Sequence, residues 1–175
     1  MAVRGKGVNV NLYLMRHAIA AEPDGSCLDS LRPLTEKGRS KLEKITSTLK
    51  KSELLVDLIL TSPYLRARQT AELVAKTLNI KPNCVVESEN LAPLGYGDQL
   101  IDEINARWPI ENLMLVGHEP GLSQLIGVLM AGDASLQIQM KKAGICKLSV
   151  EKLSYARCAT IEWLMTPALL LVLAG

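Results

Sequence analysis

The sequence predicts an α/β fold: a three-layer sandwich of helix, sheet and helix built on a mostly parallel central sheet, with an antiparallel pair of strands near the C-terminus. Three observations predict it. The runs Leu12-Tyr13-Leu14-Met15 and Leu113-Met114-Leu115-Val116 are continuously apolar rather than alternating, as expected of strands buried on both faces of a parallel sheet. Segments with helical spacing of apolar residues, such as Leu42, Ile45 and Leu49, alternate with these runs. Finally, two strand-like runs near Gly144 to Val150 and Cys158 to Leu164 follow one another with no helix between them, so they pair antiparallel.

Taken in order, the first strand covers Leu12 to Met15 and ends in Arg16-His17-Ala18. Residues 19–34 form a loop rich in Pro, Asp, Gly and Ser. A helix then runs to about Lys51, with Thr35 or Ser30 as its cap. The second strand spans about Leu55 to Thr61, and Ser62-Pro63 leads into a helix from Leu65 to Leu78 with Ala67, Ala71, Val74, Ala75 and Leu78 inward. Val85 and Val86 mark a short third strand. Residues 88–98 read as a second functional loop, followed by a helix near Gln99 to Trp108. The fourth strand ends at His118, and a helix continues to about Met130. Residues 168–175 are apolar, but the run is far below the roughly 20 residues needed to cross a bilayer, so they form a short terminal helix or a tail.

The chain of 175 residues is read as one domain, 1–175, long enough to bury roughly 70% of its unfolded surface without a cofactor or disulfides. Lys and Arg total 20 against 18 Asp and Glu, so no bulk charge points to nucleic acid or a membrane surface. Phe is absent, which leaves Leu, Ile, Val, Met and Ala to build the core. Cys27, Cys84, Cys146 and Cys158 are scattered without a C-x-x-C pair, which predicts reduced thiols and a cytoplasmic protein. Arg4 and Lys6 precede a run interrupted by Asn9 and Asn11, so the amino terminus is read as part of the fold and not as an export signal. There is no Walker A sequence and no G-x-G-x-x-G, and Leu122 occupies the place of the second histidine in H-E-x-x-H. No metal or other cofactor is predicted. The sequence carries no signal for oligomeric state.

The functional signal lies at the strand ends. His17 and His118 are the only two histidines, and each follows an apolar strand at its carboxyl end, where ligand crevices form in open parallel sheets. A third strand end, at Thr61-Ser62-Pro63, delivers Arg66 and Arg68 to the first turn of the next helix, where their spacing turns Arg68 away from Arg66. Arg16 and Arg66 supply fixed, forked, permanently charged donors matched to phosphate oxygens. A histidine with one free ring nitrogen beside them suits nucleophilic phosphoryl transfer through a phosphohistidine intermediate.

Four strings in order resemble the histidine phosphatase superfamily, the phosphoglycerate mutase-like group, and within it the short SixA-type phosphohistidine phosphatases. They are Met15-Arg16-His17-Ala18, Leu31-Arg32-Pro33-Leu34-Thr35-Glu36-Lys37-Gly38, Ser62-Pro63-Tyr64-Leu65-Arg66-Ala67-Arg68-Gln69-Thr70-Ala71 and Val116-Gly117-His118-Glu119-Pro120-Gly121. The resemblance spans about residues 10–167 and implies a metal-independent phosphatase. It makes His17 the nucleophile and assigns Arg16, Arg66 and His118 to the transferred phosphoryl group, with Arg32 and Gly117 as further substrate-binding residues. Ala18 stands where many members have Gly. Mutases and phosphomonoesterases of the superfamily take a general acid from the loop after the third strand, where this chain has Glu87 and Glu89 with no distinctive motif around them.

The leaving group decides how much that matters. An alkoxide belongs to an acid of pKa about 15.7, an imidazole to one of about 6.5. The difference is worth up to roughly 12 kcal/mol of reduced demand for an acid at 1.36 kcal/mol per unit. The expected substrate is therefore a phosphohistidine on another protein, such as a histidine phosphotransfer domain, which the short chain would admit to an open cleft. Two alternatives stand beside it: a small-molecule phosphomonoesterase or mutase of the same superfamily, and a non-catalytic phosphate-binding module.

Overall fold

The computed structural model describes residues 9–25, 27–108 and 111–174. Arg4 and Lys6 therefore lie outside the described residues. Strands β1 (Val10–Arg16), β2 (Leu58–Thr61), β3 (Val85–Glu87), β4 (Asn112–Gly117), β5 (Ile145–Val150) and β6 (Ala159–Met165) form one sheet among the described residues, in the order β3-β2-β4-β1-β5-β6. The first four are parallel, while β5 runs antiparallel to both β1 and β6. The predicted layering and the C-terminal antiparallel pair are both present.

The continuous apolar runs have a direct cause. Along β1, Leu12 and Leu14 enter one core while Tyr13 and Met15 enter the other, so all four positions of the run are buried. β4 divides in the same way, with Leu113 and Leu115 on one face and Met114 and Val116 on the opposite face. Helices α3 (Gly97–Arg107) and α4 (Gly121–Ala131) supply Leu100, Ile101, Ile104, Leu122, Leu125 and Ile126 to the first core. Helices α1 (Glu36–Lys51) and α2 (Leu65–Leu78) supply Leu42, Ile45, Ala67, Ala71 and Val74 to the second.

Thr35 caps α1, its hydroxyl accepting from the Gly38 N–H at 3.0 Å, while Ser30 sits in a 3-10 turn, Asp29–Leu31. Several boundaries differ from the sequence reading, among them β1, which begins two residues earlier, at Val10. β2 begins at Leu58, because Leu55 is exposed and Asp57 instead accepts from the Asn112 backbone. α3 begins two residues early, at Gly97, and β6 is displaced by one residue to Ala159–Met165. The apolar C-terminal run forms α5 (Pro167–Val172), whose Leu170 packs in the α1–α2 core while its carbonyl accepts from the Thr48 hydroxyl. Its cap is Thr166, which accepts from the Leu169 N–H. All four cysteines are free thiols, and no described helix is long and apolar enough to cross a membrane.

Candidate active site

Strand register brings the two histidines together. Arg16 pairs with Gly117 as β1 and β4 end side by side, and the His17 N–H donates to the Gly117 carbonyl at 3.1 Å. On the other side of β4, Thr61 pairs with Val116, which sets Ser62 beside the same strand end. The rings of His17 and His118 consequently lie 4.9 Å apart, centroid to centroid.

Each ring is held through one nitrogen. His17 Nδ1 lies 2.7 Å from the Ala18 carbonyl oxygen, which can only accept, so Nδ1 carries the proton and Nε2 keeps its lone pair. His118 Nε2 is 2.9 Å from the Ser62 hydroxyl, and its Nδ1 is buried with no protein partner. Ser62 in turn accepts from the Tyr64 N–H, and the Tyr64 ring packs edge-on against His118. The His17 loop is tied to α2 by Thr70, whose hydroxyl accepts from the Ala18 N–H and donates to the Arg66 carbonyl.

Both imidazoles are almost fully buried, His17 at 7% exposure and His118 at 5%. Burial pushes the His17 pKa down to about 4, with Arg66, Arg16 and Lys142 adding to the effect against the bond to Ala18. Burial also takes His118 down to about 3, helped by His17 and Arg66. Both rings are therefore neutral near pH 7, and a neutral His17 has the lone pair that nucleophilic attack requires.

The cations reach the same place. The Arg16 guanidinium donates from Nη1 to the Met140 carbonyl at 2.8 Å, and its Nε is buried without a partner. Arg66, only 4% exposed, donates from Nη1 to the Asp29 carbonyl at 2.7 Å and from Nη2 to Asp29 Oδ2 at 3.1 Å. Arg32 binds the other carboxylate oxygen of Asp29 through Nε at 2.7 Å. These bonds to Arg32 and Arg66 hold the Asp29 carboxyl below its ordinary pKa, against the effect of burial. The result is a cleft of about 330 Å³ whose walls include Arg16, His17, Arg32, Arg66, His118 and Lys142.

Of the residues singled out in the sequence, His17, His118, Arg16, Arg66 and Arg32 meet here, and three do not line the cleft. Glu87 sits on edge strand β3, three strand positions from β1 or roughly 14 Å at the usual spacing. It pairs with Arg68 and faces a separate depression. Glu89 is exposed on the 3-10 turn after β3 and is not one of the residues that line the cleft. Gly117 is buried in β4 and acts through its carbonyl, which orients the His17 backbone, and a side chain there would come within 3.2 Å of Leu122.

Sequence reasoning missed Asp29, Glu119 and Lys142, all cleft residues. Asp29 had a legible signal, since it stands three residues before Arg32, the spacing of an ion pair on a turn. Glu119 follows His118 directly. Its Oε2 accepts from the Ser123 hydroxyl at 2.6 Å, Oε1 is buried without a partner, and burial raises its pKa despite the Ser123 bond and the Arg16 charge. Among the described residues no group of His, Cys, Asp and Glu is arranged to hold a metal ion.

Comparison with known proteins places this geometry. The family model of the histidine phosphatase superfamily (branch 1) matches residues 12–99. An uncharacterised protein of Picosynechococcus sp. is 37% identical over 142 residues, covering 79% of this chain and 84% of that protein. The phosphohistidine phosphatase SixA of Escherichia coli (strain K12) is 27% identical over 165 residues, covering 90% and 94%. Among solved structures, the protein histidine phosphatase SixA complexed with tungstate superposes with a TM-score of 0.79 at 25% identity, over 91% of this chain and 98% of that one. A phosphoglycerate mutase from Bacillus anthracis, at 16% identity and a TM-score of 0.66, covers 97% of this chain and 99% of its own and shares the fold. With the matching model, the relatives and the paired strand-end histidines in agreement, the chain belongs to the histidine phosphatase superfamily, is SixA-like within it, and is a phosphatase.

Proposed function

We propose that this phosphatase removes the phosphoryl group from histidine on another protein, with His17 as the nucleophile. The observation that carries the reading is the fixed tautomer of His17. Its Nδ1–H is committed to the Ala18 carbonyl, which leaves Nε2 bare and neutral in a cleft with Arg16 and Arg66. In the first step the His17 Nε2 lone pair forms a bond to phosphorus while the phosphorus–nitrogen bond of the substrate breaks. In the second, a water oxygen bonds to phosphorus, His17 leaves, and the water proton passes to solvent or to a cleft base. Arg16 and Arg66 offset the charge on the phosphoryl oxygens throughout, and the unpartnered Nδ1 of His118 makes that ring a further candidate contact.

The choice of phosphohistidine rests on the leaving group. An imidazole whose second nitrogen is protonated departs without a general acid, and neither Glu87 nor Glu89 stands at the cleft to serve as one. The SixA relatives support the same substrate class, and their neighbour's tungstate is a tetrahedral oxyanion like phosphate. Free thiols suit action in the cytoplasm. A second reading, hydrolysis of small alkyl phosphates, gains its support from Glu119, whose raised pKa and place on the cleft wall fit a proton donor.

The test is direct. A brief reaction with labelled phosphohistidine protein, stopped in alkaline denaturant, should leave phosphate on the enzyme that is stable to base and lost in acid. His17→Ala should carry none. Undiminished label on that variant would remove His17 as the nucleophile.

A further inference from the structure

The Ser62 hydroxyl has a single proton to give, and its surroundings decide where that proton goes. The residue is fully buried. Its N–H donates to the Val116 carbonyl at 2.9 Å, which fixes it beside the end of β4, from which His118 follows. Pro63 has no N–H, so the next backbone donor is Tyr64, whose N–H reaches the Ser62 hydroxyl oxygen at 3.2 Å. The other neighbour of that oxygen is His118 Nε2, at 2.9 Å. Among the described residues nothing else stands where it could accept the hydroxyl proton.

The proton between Ser62 and His118 can be arranged in two ways. If Nε2 carried it and donated to Ser62, the hydroxyl oxygen would accept twice and its own proton would have no acceptor in a place closed to water. His118 Nδ1 would then be a bare lone pair. If Ser62 donates to Nε2 instead, the hydroxyl gives one bond and takes one, and the ring proton of the neutral imidazole sits on Nδ1. Only this second arrangement satisfies the whole Ser62 side chain. It also suits a ligand in the cleft. Because Nε2 is occupied, Nδ1 is the atom that His118 has left to offer, and the oxygens of a phosphoryl dianion can only accept.

Resting on the reading of the cleft as a phosphoryl site, we propose that Ser62 is a positioning residue: its hydroxyl holds His118 in the tautomer protonated on Nδ1, so that the ring meets the phosphoryl group as a donor. The two histidines thereby reach the same tautomer by opposite means. A carbonyl acceptor keeps the proton on Nδ1 of His17 and bares Nε2 for attack, whereas a hydroxyl donor fills Nε2 of His118 and leaves its Nδ1–H to give. The edge-on Tyr64 ring helps to orient the His118 ring but does not choose its proton, so the tautomer depends on Ser62.

The test reads the proton directly. His17 and His118 are the only histidines, so nitrogen NMR of the untagged chain labelled in its histidine rings follows both, with His118 assigned by its absence in His118→Gln. Near neutral pH the wild type should show His118 protonated on Nδ1 and bare on Nε2, and tungstate, the oxyanion of the SixA complex, should shift the Nδ1 resonance. In Ser62→Ala the proton should redistribute toward Nε2, and kcat/KM on N-acetyl phosphohistidine should fall about 10-fold to 100-fold. That is less than the roughly 100-fold to 1000-fold for losing an oxyanion donor outright, because the freed ring still samples the donor tautomer. Ser62→Thr keeps the hydroxyl and should restore the Nδ1 proton and most of the rate. In a His118→Ala background, Ser62→Ala should cost less than twofold, since Ser62 acts through that ring. A wild-type His118 protonated on Nε2 would overturn the proposal. So would a Ser62→Ala rate within twofold of wild type, or an equal loss from Ser62→Ala with and without His118. A wild type that carries the Nδ1 proton but neither responds to tungstate nor turns over the probe would uphold the tautomer and remove the functional reading.

Discussion

Replacing Arg66 by alanine should do two separable things. The guanidinium is nearly fully buried, bonded at both ends of its fork to Asp29, and stacked 4.9 Å from the Tyr64 ring centroid. It is therefore a preorganised charge, comparable to one donor of an oxyanion site, and its removal should cost about 2.7–4 kcal/mol of transition-state stabilisation. That is a fall of roughly 100-fold to 1000-fold in kcat/KM. The same charge helps to depress both histidines, so its loss should let His17 and His118 bind protons at higher pH. The acid limb of the rate profile then moves upward. Arg66→Lys keeps a charge without the fork, so it should restore much of the acid limb and little of the rate. The assay is kcat/KM from pH 4 to 8 on N-acetyl phosphohistidine, with the enzyme-free rate subtracted. A loss under tenfold in Arg66→Ala, or a large loss with the acid limb unmoved, would refute this account.

The remaining predictions concern acid catalysis, packing and pH. Glu119→Gln and Glu89→Gln should each leave phosphohistidine turnover within a few-fold, while Glu119→Gln alone lowers any alkyl phosphatase activity by at least about 100-fold; an equal collapse on both substrates in Glu119→Gln would show that phosphohistidine cleavage needs an acid. Gly38→Ala places a Cβ about 2.1 Å from the Ile19 carbonyl oxygen. It should destabilise by about 2 kcal/mol and lower Tm by about 4–8 °C, and an unchanged melting curve would contradict the close approach. The histidine pair makes folding acid-sensitive. Between the ordinary histidine value of about 6.5 and the depressed folded values of about 4 and 3, the unfolded chain binds protons that the folded one does not. Stability contributed by the neutral rings is thus present above pH 6.5 and lost as pH falls, at up to about 2.7 kcal/mol per pH unit for two sites. Urea midpoints from pH 7 to 4.5 should show a shallower slope in His118→Gln than in wild type, and identical slopes would refute the depressed values.

What the sequence determined by itself is whatever depends on local period and punctuation. The two-sided burial of β1 and β4 wrote itself as unbroken apolar runs, the α1 cap as Thr35, and the ends of the site strands as the positions of His17 and His118. Arg66 was legible because its distance from Ser62-Pro63 sets it on the first turn of α2. Only the tertiary structure decided the rest, because it depends on pairing between remote segments. The Arg16–Gly117 register crosses a hundred residues and turns two strand ends into one site. Sheet order puts Glu87 at the far edge, although it is as near in sequence to a strand end as His17 is. The Asp29 carboxylate joins Arg32, a local partner, to Arg66, one 37 residues away, and no periodicity records that meeting. A strand's own residues set where its end lies; the neighbours it pairs with set what stands beside that end, and so which side chains can act together.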